Sequence, residues 1–373
     1  MARLSLEGVE SVQRVAVIGT GLIGGSIGLA LRRAGVRVRG FDHDPDRAKH
    51  ARELGAVGSI AASVDEAVLD ADVAVIAVPV GDVATLALSA LEAGAPAVTD
   101  VGSVKGPIVT AVAGARPDLA PRFVGGHPMA GSEQDGLEGA EAELFAGATW
   151  VLTPTEHTEI GAFTRVRNLV GALGAEVVAV TPEHHDALVA VVSHVPQLAA
   201  TTLMDVAAAS EEERATLLRL AAGGFRDMTR IAAGHPGIWP DICVANREAI
   251  VRVLDDYLDA LVRVRTLVDQ SDRASLLAVL ERARAARRNL PVGVSRGAEL
   301  AELRIVVPDK PGVLAEVTTL AGSLGINIAD LEIAHSMEGT GGVLVLVIAA
   351  RHAGALENAL ARRGYHASRT ILP

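Results

Sequence analysis

A β-type run, Val15-Ala16-Val17-Ile18, feeds directly into Gly19-Thr20-Gly21-Leu22-Ile23-Gly24, and a helical pattern follows. In that context Gly-x-Gly-x-x-Gly reads as a dinucleotide site. Gly19 allows the tight turn, Gly21 lets backbone N–H groups approach a pyrophosphate, and Gly24 lets helix and strand pack closely. The helix N-terminus offers partial positive charge to the phosphates. A second strand, Val36 to Phe41, ends in Asp42, near the ~20-residue offset of a ribose-binding carboxylate. An acid there accepts from the 2′-hydroxyl and repels a 2′-phosphate, which favours NAD over NADP. His43 and Arg47 stand beside it.

Four further clusters carry chemistry-bearing side chains. In Asp100-Val101-Gly102-Ser103-Val104-Lys105, Ser103 follows a strand and precedes a helix, so it reads as an N-cap, a substrate ligand or both. Lys105 is placed to steer an anion. In Gly126-His127-Pro128-Met129-Ala130-Gly131-Ser132-Glu133, His127 ends a strand on the cofactor side, where an imidazole can accept a proton as hydride leaves. Gly131 to Gly139 reads as a mobile polar lid. In Ser193-His194-Val195-Pro196-Gln197, proline interrupts a helical pattern at a cost of ~3 kcal/mol, a break that frees a carbonyl beside His194 and marks a functional or strained place. In Phe225-Arg226-Asp227-Met228-Thr229-Arg230, the two arginines share a helix face. Arg230 can grip a carboxylate with both arms while Asp227 positions it.

These clusters need a scaffold. Residues 14–181 alternate apolar strands and helices, and strands without in/out alternation predict a parallel sheet covered on both faces. Ligands in such sheets sit off the carboxyl ends of the strands. Val78-Pro79, Asp100 to Ser103 and His127 to Met129 all follow strand ends, so they should line one crevice. From about 182 to 290 amphipathic helices take over, with apolar positions at Ile242, Ala249, Val253, Leu254, Tyr257, Leu261 and Val264. One such layer cannot bury itself alone, which points to a homodimer. After a linker near 283–298, strands and helices in the order βαββαβ fill the remainder. The architecture is thus α/β: an N-terminal doubly wound sheet of the Rossmann type over 1–181, an all-helical substrate and dimerisation domain over 182–290, and a small βαββαβ domain over 299–373.

The bulk numbers set limits. A length of 373 residues suits two or three domains. The net charge of −11 argues against nucleic acid or an anionic membrane as partner. An acidic substrate therefore needs its own arginines. The single cysteine, Cys243, excludes a disulfide framework and a thiolate metal site. No metal is expected. His184-His185-Asp186 reads as a solvated helix start rather than a ligand set. No signal peptide and no charge-free apolar run of ~18–20 residues is evident, so the chain reads as soluble and cytoplasmic.

Taken together, these motifs resemble those of prephenate dehydrogenases, tyrosine-pathway enzymes, here with an appended ACT regulatory domain. The pieces that carry the resemblance are Gly19 to Ser26, Asp100 to Lys105, Gly126 to Gly131, Ser193 to Pro196 and Phe225 to Arg230. The resemblance implies hydride transfer to NAD from the carbinol carbon of a cyclohexadienol with two carboxylates. Carbon dioxide leaves and the ring becomes aromatic, so prephenate becomes 4-hydroxyphenylpyruvate. It further implies that His127 takes the ring hydroxyl's proton, Ser103 holds that hydroxyl in register and Arg230 binds carboxylate. Ser193, His194 and Gln197 would lie at the substrate pocket, with Glu133, Asp227 and Arg226 near its mouth. Gly19, Gly21, Leu22, Ile23, Gly24, Asp42, Val78 and Pro79 would hold the cofactor. In the ACT unit, Asp309, Gly312, Val313, Asn327 and Ile328 would hold an amino-acid effector, with tyrosine the natural inhibitor.

One departure leaves an alternative open. The Ser-His-x-Pro motif in the family is often followed by histidine, and here Gln197 stands. A neutral amide leaves the choice open between prephenate and arogenate, whose ammonium replaces the keto group. A different class, a non-catalytic sensor of NAD and amino acids, is permitted by the ACT unit. The joint presence of His127, Ser103 and Arg230 argues against it, since a sensor needs no base.

Overall fold

A computed structural model describes residues 12–131, 136–208, 223–234, 236–288, 300–308, 310–335 and 341–371. The chain divides into two compact units, Met1–Leu258 and Asp259–Pro373.

In the first unit eight strands form one sheet: β1 (Arg14–Ile18), β2 (Arg37–Phe41), β3 (Ser59–Ile60), β4 (Val73–Ile76), β5 (Val98–Asp100), β6 (Phe123–Pro128), β7 (Thr149–Thr153) and β8 (Glu176–Ala179). Their order is β3-β2-β1-β4-β5-β6-β7-β8. The direction of winding reverses at β1, which places the switch point directly beyond the glycine loop. Alternate residues of β1 feed two cores, one on each face. Val15 and Val17 join Val73, Val75 and the helix residues Ile27 and Leu31. Ala16 and Ile18 join Ala74, Ile76, Val83 and Ala87. The register aligns Ile18 with Ile76 and Ile76 with Asp100, so three strand ends finish at one level.

The sheet departs from the sequence reading in one respect. β1 to β6 are parallel, but β6 and β7 pair antiparallel, with His127 opposite Val151. A parallel return requires a crossover of a dozen or more residues, usually a helix. Between β6 and β7 the described residues form only a 3₁₀ turn, Leu137–Gly139. Over Leu137–Gly139, that turn also corrects the expectation of a mobile lid drawn for Gly131 to Gly139. Leu137 is buried against helix α1 (Leu22–Arg33), where a Cβ on Gly25 would meet its Cδ1 at 2.5 Å. The Glu141 N–H donates to Ser26 Oγ at 3.0 Å. Ser132 and Glu133 lie outside the described residues.

Beyond β8, helix Pro182–Val189 starts on Thr181, whose hydroxyl accepts from the His184 N–H. A π-helical turn, Ala190–His194, follows, and helix Val195–Ala208 begins at the residue before Pro196. The interruption expected from Pro196 therefore takes the form of one widened turn, a common way to absorb a missing ladder bond and one that recurs at functional sites. The run Pro182–Ala207 is long and apolar enough to cross a membrane by composition alone. Here it carries His185, Asp186 and His194, all buried in polar contacts inside the first unit.

Short helices Gly223–Thr229 and Trp239–Ala245 lead to a 23-residue helix, Arg247–Asp269. Ile250 is its buried anchor, whereas Val251, Leu258, Leu261, Val262 and Val268 are exposed on the single chain.

The second unit adds helix Arg273–Arg288 and the expected βαββαβ fold. Strands β9 (Leu300–Pro308), β10 (Ile328–His335), β11 (Gly341–Ala349) and β12 (His366–Ile371) form an antiparallel sheet in the order β10-β11-β9-β12. Helices Val313–Ser323 and Ala350–Arg362 pack on it through Val317, Leu320, Leu356 and Leu360.

Candidate active site

Two cavities open off the carboxyl ends of the strands. One, of about 570 Å³, is lined by Gly19, Gly21, Leu22, Ile23, Asp42, Val78 and Pro79. The other, of about 700 Å³, is lined by His127, Ser193, Gln197, Arg230 and Trp239, among others. Leu22, Ile23, Val101, Ser103 and Ile238 belong to both walls, so the cavities share a boundary.

The first cavity is shaped for a dinucleotide. Gly19 sits at φ +92°, and a Cβ there would strike the Ala77 carbonyl oxygen at 2.3 Å. Gly24 touches the turn from the helix side, since a Cβ on it would lie 1.9 Å from the Gly19 oxygen. It therefore shapes the loop without lining the cavity. Gly21 faces open space, which leaves room for a phosphate. Asp42 is buried at the far side. Its Oδ2 accepts from the Thr20 N–H at 2.8 Å and the Thr20 hydroxyl at 3.0 Å. Oδ1 accepts from the Asp44 N–H and lies 3.3 Å from His43 Nδ1 and 3.7 Å from the Arg47 guanidinium. The glycine loop and the carboxylate thus fit an adenosine ribose and pyrophosphate, with Thr20 fixing the carboxylate's orientation.

At the centre of the second cavity stands His127, carried there by β6. Its Nδ1 lies 2.9 Å from His185 Nε2, and His185 Nδ1 lies 2.8 Å from Asp186 Oδ1. Asp186 does more. Its Oδ1 accepts from the Lys105 N–H and its Oδ2 from the Gly106 N–H, both at 2.8 Å. A carboxylate from helix Pro182–Val189 therefore caps helix Gly106–Ala115. Ser103 does not take the N-cap position, which falls to Lys105, and its side chain is left on the cavity wall. The sequence reading of His184-His185-Asp186 as a solvated helix start is overturned for the last two: both are buried.

Lys105 also differs from expectation. It is fully buried, ion-paired with Asp100, and donates to the Gly126 carbonyl at 2.8 Å. It reaches no cavity and cannot clamp an anion. Asp100 in turn accepts from the N–H groups of Gly102 and Gly126 at 2.8 and 3.0 Å, so the pair ties the Ser103 loop to the strand bearing His127. Burial holds the His127 pKa well below the usual histidine value, and the nearby Lys105 charge and the two other histidines push the same way. The imidazole is therefore neutral near pH 7.

Other expected residues are sorted by their exposure. Ser193 and Gln197 line the second cavity, but His194 lies behind its wall, buried, with Nδ1 3.2 Å from the amide nitrogen of Asn246. Burial drives its pKa down to about 4, with Asp186 opposing and His185 reinforcing. Adjacent residues on a helix point in different directions, so Ser193 and His194 fall on different sides of it. Arg230, at the start of a 3₁₀ turn, lines the cavity, whereas Arg226 and Asp227 are exposed on the preceding helix and line neither cavity. Helix Gly223–Thr229 ends one residue before Arg230, so the shared face expected of Arg226 and Arg230 is broken. Trp239 and Ile238, which shape this cavity, were missed: single apolar residues near helix starts carry no sequence signal of their own.

In the second unit, Gly312 adopts φ +91° at the start of its helix, and a Cβ there would meet nothing within 4 Å. Val313 opens that helix, while Asn327 and Ile328 stand at the start of β10. Register through β11 sets Ile328 level with Ala301, at the opposite end of β9 from Gly312. The two pairs are thus about 20 Å apart along the sheet at ~3.3 Å per residue. They do not form one site within a chain. Asp309 lies outside the described residues.

The comparisons with known proteins match this geometry. Residues 27–179 fit the family model for the nucleotide-binding domain of prephenate dehydrogenase, and residues 181–282 fit that for its dimerization domain. This chain belongs to the prephenate dehydrogenase family. Residues 301–364 fit the ACT domain. The chain is 35% identical to prephenate dehydrogenase of Bacillus subtilis (strain 168) over 337 residues, 88% of this chain and 90% of that one. Its fold is similar to a prephenate dehydrogenase from A. aeolicus in complex with hydroxyphenyl propionate and NAD+, with a TM-score of 0.69 and 30% identity over 75% of this chain and 99% of the other. It is also similar to the Synechocystis arogenate dehydrogenase, with a TM-score of 0.65 and 29% identity over 74% and 99%.

Proposed function

We propose that this chain is an NAD-dependent oxidoreductase that converts prephenate to 4-hydroxyphenylpyruvate and carbon dioxide in cytoplasmic tyrosine biosynthesis. The observation that carries the reading is a neutral histidine, His127, in one cavity with Ser103 and Arg230, directly beside the glycine-loop cavity. Bound in the glycine-loop cavity, NAD would supply the hydride acceptor. The protein's own work is orientation, one base and an anion clamp. Arg230 takes a substrate carboxylate. Ser103, on the wall between the cavities, holds the ring hydroxyl. His127 accepts that hydroxyl's proton as the carbinol carbon loses hydride. The overall change removes a hydride and carbon dioxide but no net proton. His127 therefore returns the proton to the same oxygen once it has become a phenolate, whose conjugate phenol has a pKa near 10, far above that of an imidazolium.

A second reading, arogenate oxidation giving tyrosine directly, is favoured by Gln197. It stands on the cavity wall as a buried neutral amide, which does not repel an ammonium. NADH formation with prephenate and with arogenate, each with and without tyrosine, tests both readings. No turnover of either would overturn the assignment.

The same proposal includes a homodimer and an amino-acid effector. The exposed apolar residues of helix Arg247–Asp269 are what a second copy would cover. Gly312 and Asn327 lie at opposite ends of one sheet, so an effector that touches both needs two chains. Tyrosine is the effector proposed, since it is the end product of the route.

A further inference from the structure

We infer that Asp186 and His185 are positioning residues that hold His127 as the tautomer with a protonated Nδ1 and a bare Nε2. The inference rests on the reading above, in which His127 is the base. It follows from a chain of donors and acceptors with one free end.

Asp186 accepts at both oxygens and has nothing to donate. Its Oδ1 faces His185 Nδ1 at 2.8 Å, so that nitrogen carries hydrogen. A neutral His185 then has a bare Nε2, and this atom faces His127 Nδ1 at 2.9 Å. Two bare nitrogens at that distance would repel, so His127 Nδ1 carries the proton. The rings meet edge to face, with centroids 5.1 Å apart and planes at 70°, a geometry in which one ring's N–H points at the other's nitrogen. Nε2 is left unprotonated, and His127 lines the substrate cavity.

A charged His185 would reverse the order. Its Nε2–H would donate to His127 Nδ1 and leave the hydrogen of a neutral His127 on Nε2, the opposite of the arrangement inferred. The titratable groups around the pair are Lys105 with Asp100, His194, Asp186 itself and, on the cavity wall, Arg230. Among them, only Asp186 touches His185 through a carboxylate. The arrangement suits a proton held for a short time. While His127 is an imidazolium, its Nδ1–H still donates to His185, whose Nδ1–H still donates to Asp186. No bond in the chain has to break, and the proton on Nε2 goes back to the substrate oxygen.

Asp186 also caps helix Gly106–Ala115, and its backbone carbonyl accepts from the Asn246 amide at 2.8 Å. One residue thus joins the loop carrying Ser103, the histidine pair and the helical layer.

The test is nitrogen-15 NMR of histidine-labelled full-length protein near pH 7.5, with the His127 signals identified by their loss in His127→Asn. The expected result is an unprotonated, pyridine-type shift for Nε2 and a pyrrole-type shift for Nδ1. In Asp186→Asn the side-chain amide can donate to His185 Nδ1, which inverts both rings and puts hydrogen on His127 Nε2. Its kcat should fall roughly 10²-fold or more, with the KM for NAD unchanged. His185→Gln keeps an acceptor for His127 Nδ1 and should retain far more kcat than His185→Leu, which serves if Asp186→Asn does not fold. A protonated Nε2 in the parent protein overturns the inference, as does equal activity of the Gln and Leu variants. The tautomer is read without substrate. Failure to oxidise prephenate or arogenate would sink the functional reading and leave this measurement intact.

Discussion

Lys105 and Asp100 form an ion pair with neither side chain reachable by solvent. Burial pulls the Lys105 pKa down, and Asp100 opposes it. A buried pair of this kind gives little net stability over an apolar substitute, but removing one partner strands the other charge. Lys105→Met should therefore cost about 3–5 kcal/mol. Lys105→Met combined with Asp100→Asn should recover part of that loss. Urea unfolding of the parent and the two variants decides the matter. A single variant within 1 kcal/mol of the parent would mean that the pair is not what pins the Ser103 loop to β6.

His127→Asn removes the base and keeps similar bulk. The expected fall in kcat is about 10²–10⁴-fold, read as NADH formation at saturating substrate. Survival within about tenfold would sink the catalytic assignment. The acid limb of kcat/KM in the parent should lie below the ordinary histidine value of 6.5, because the proton must be absent for the base to work and burial disfavours it.

Much of this site was legible before any coordinates. The glycine loop, Asp42, Ser103 and His127 each follow a local pattern, and strand-end position alone brings them to one crevice; Arg230 was legible from its helical cluster and the need of an acidic substrate for an arginine. Pro196 likewise announced a broken helix. What escaped was pairing across the chain. Nothing local in His185 reveals that it meets a residue 58 positions earlier. Asp186 looked like a polar residue in a first helical turn, and only the crossing of helix Pro182–Val189 over helix Gly106–Ala115 turns it into a cap. Lys105 misled for the same reason: a cation at a helix start resembles an anion site until Asp100 is seen beneath it. The antiparallel β7 carried no signal either, because Trp150 and Leu152 are buried like the residues of the parallel strands.

Arg230 is the one arginine on the substrate cavity wall among the described residues. Arg230→Gln keeps a planar polar group and loses the two-armed charged grip. The expected outcome is a 10- to 100-fold higher KM for prephenate, about 1.4–3 kcal/mol, with the KM for NAD within a factor of about two. A matching rise in both would point to a collapsed cavity instead of a lost clamp.

Cofactor choice should turn on Asp42. Its Oδ1 is the group a ribose diol would meet, and Thr20 holds the other oxygen. Asp42→Asn removes the charge that repels a 2′-phosphate and releases Arg47, 3.7 Å away. Discrimination between NAD and NADP, measured as the ratio of kcat/KM values, should narrow by about tenfold or more. An unchanged ratio would place the ribose elsewhere.

Acid sensitivity follows from His194. Its ordinary pKa of 6.5 is lowered to about 4 by burial in the folded state. Between those values the unfolded chain binds the proton and the folded chain does not, so unfolding is favoured as pH falls through the window. The stability present above pH 6.5 is thus lost on the way to pH 4, by up to about 3 kcal/mol at ~1.4 kcal/mol per pKa unit. The neighbouring carboxylate of Asp186 works against the shift and the neighbouring His185 adds to it. His127, lowered by burial as well, contributes in the same direction. His194→Gln preserves a buried amide opposite Asn246 and has no proton to gain. Its urea midpoint should therefore drop less than the parent's between pH 7 and pH 5. Parallel losses in the two proteins would show that some other group drives the acid transition.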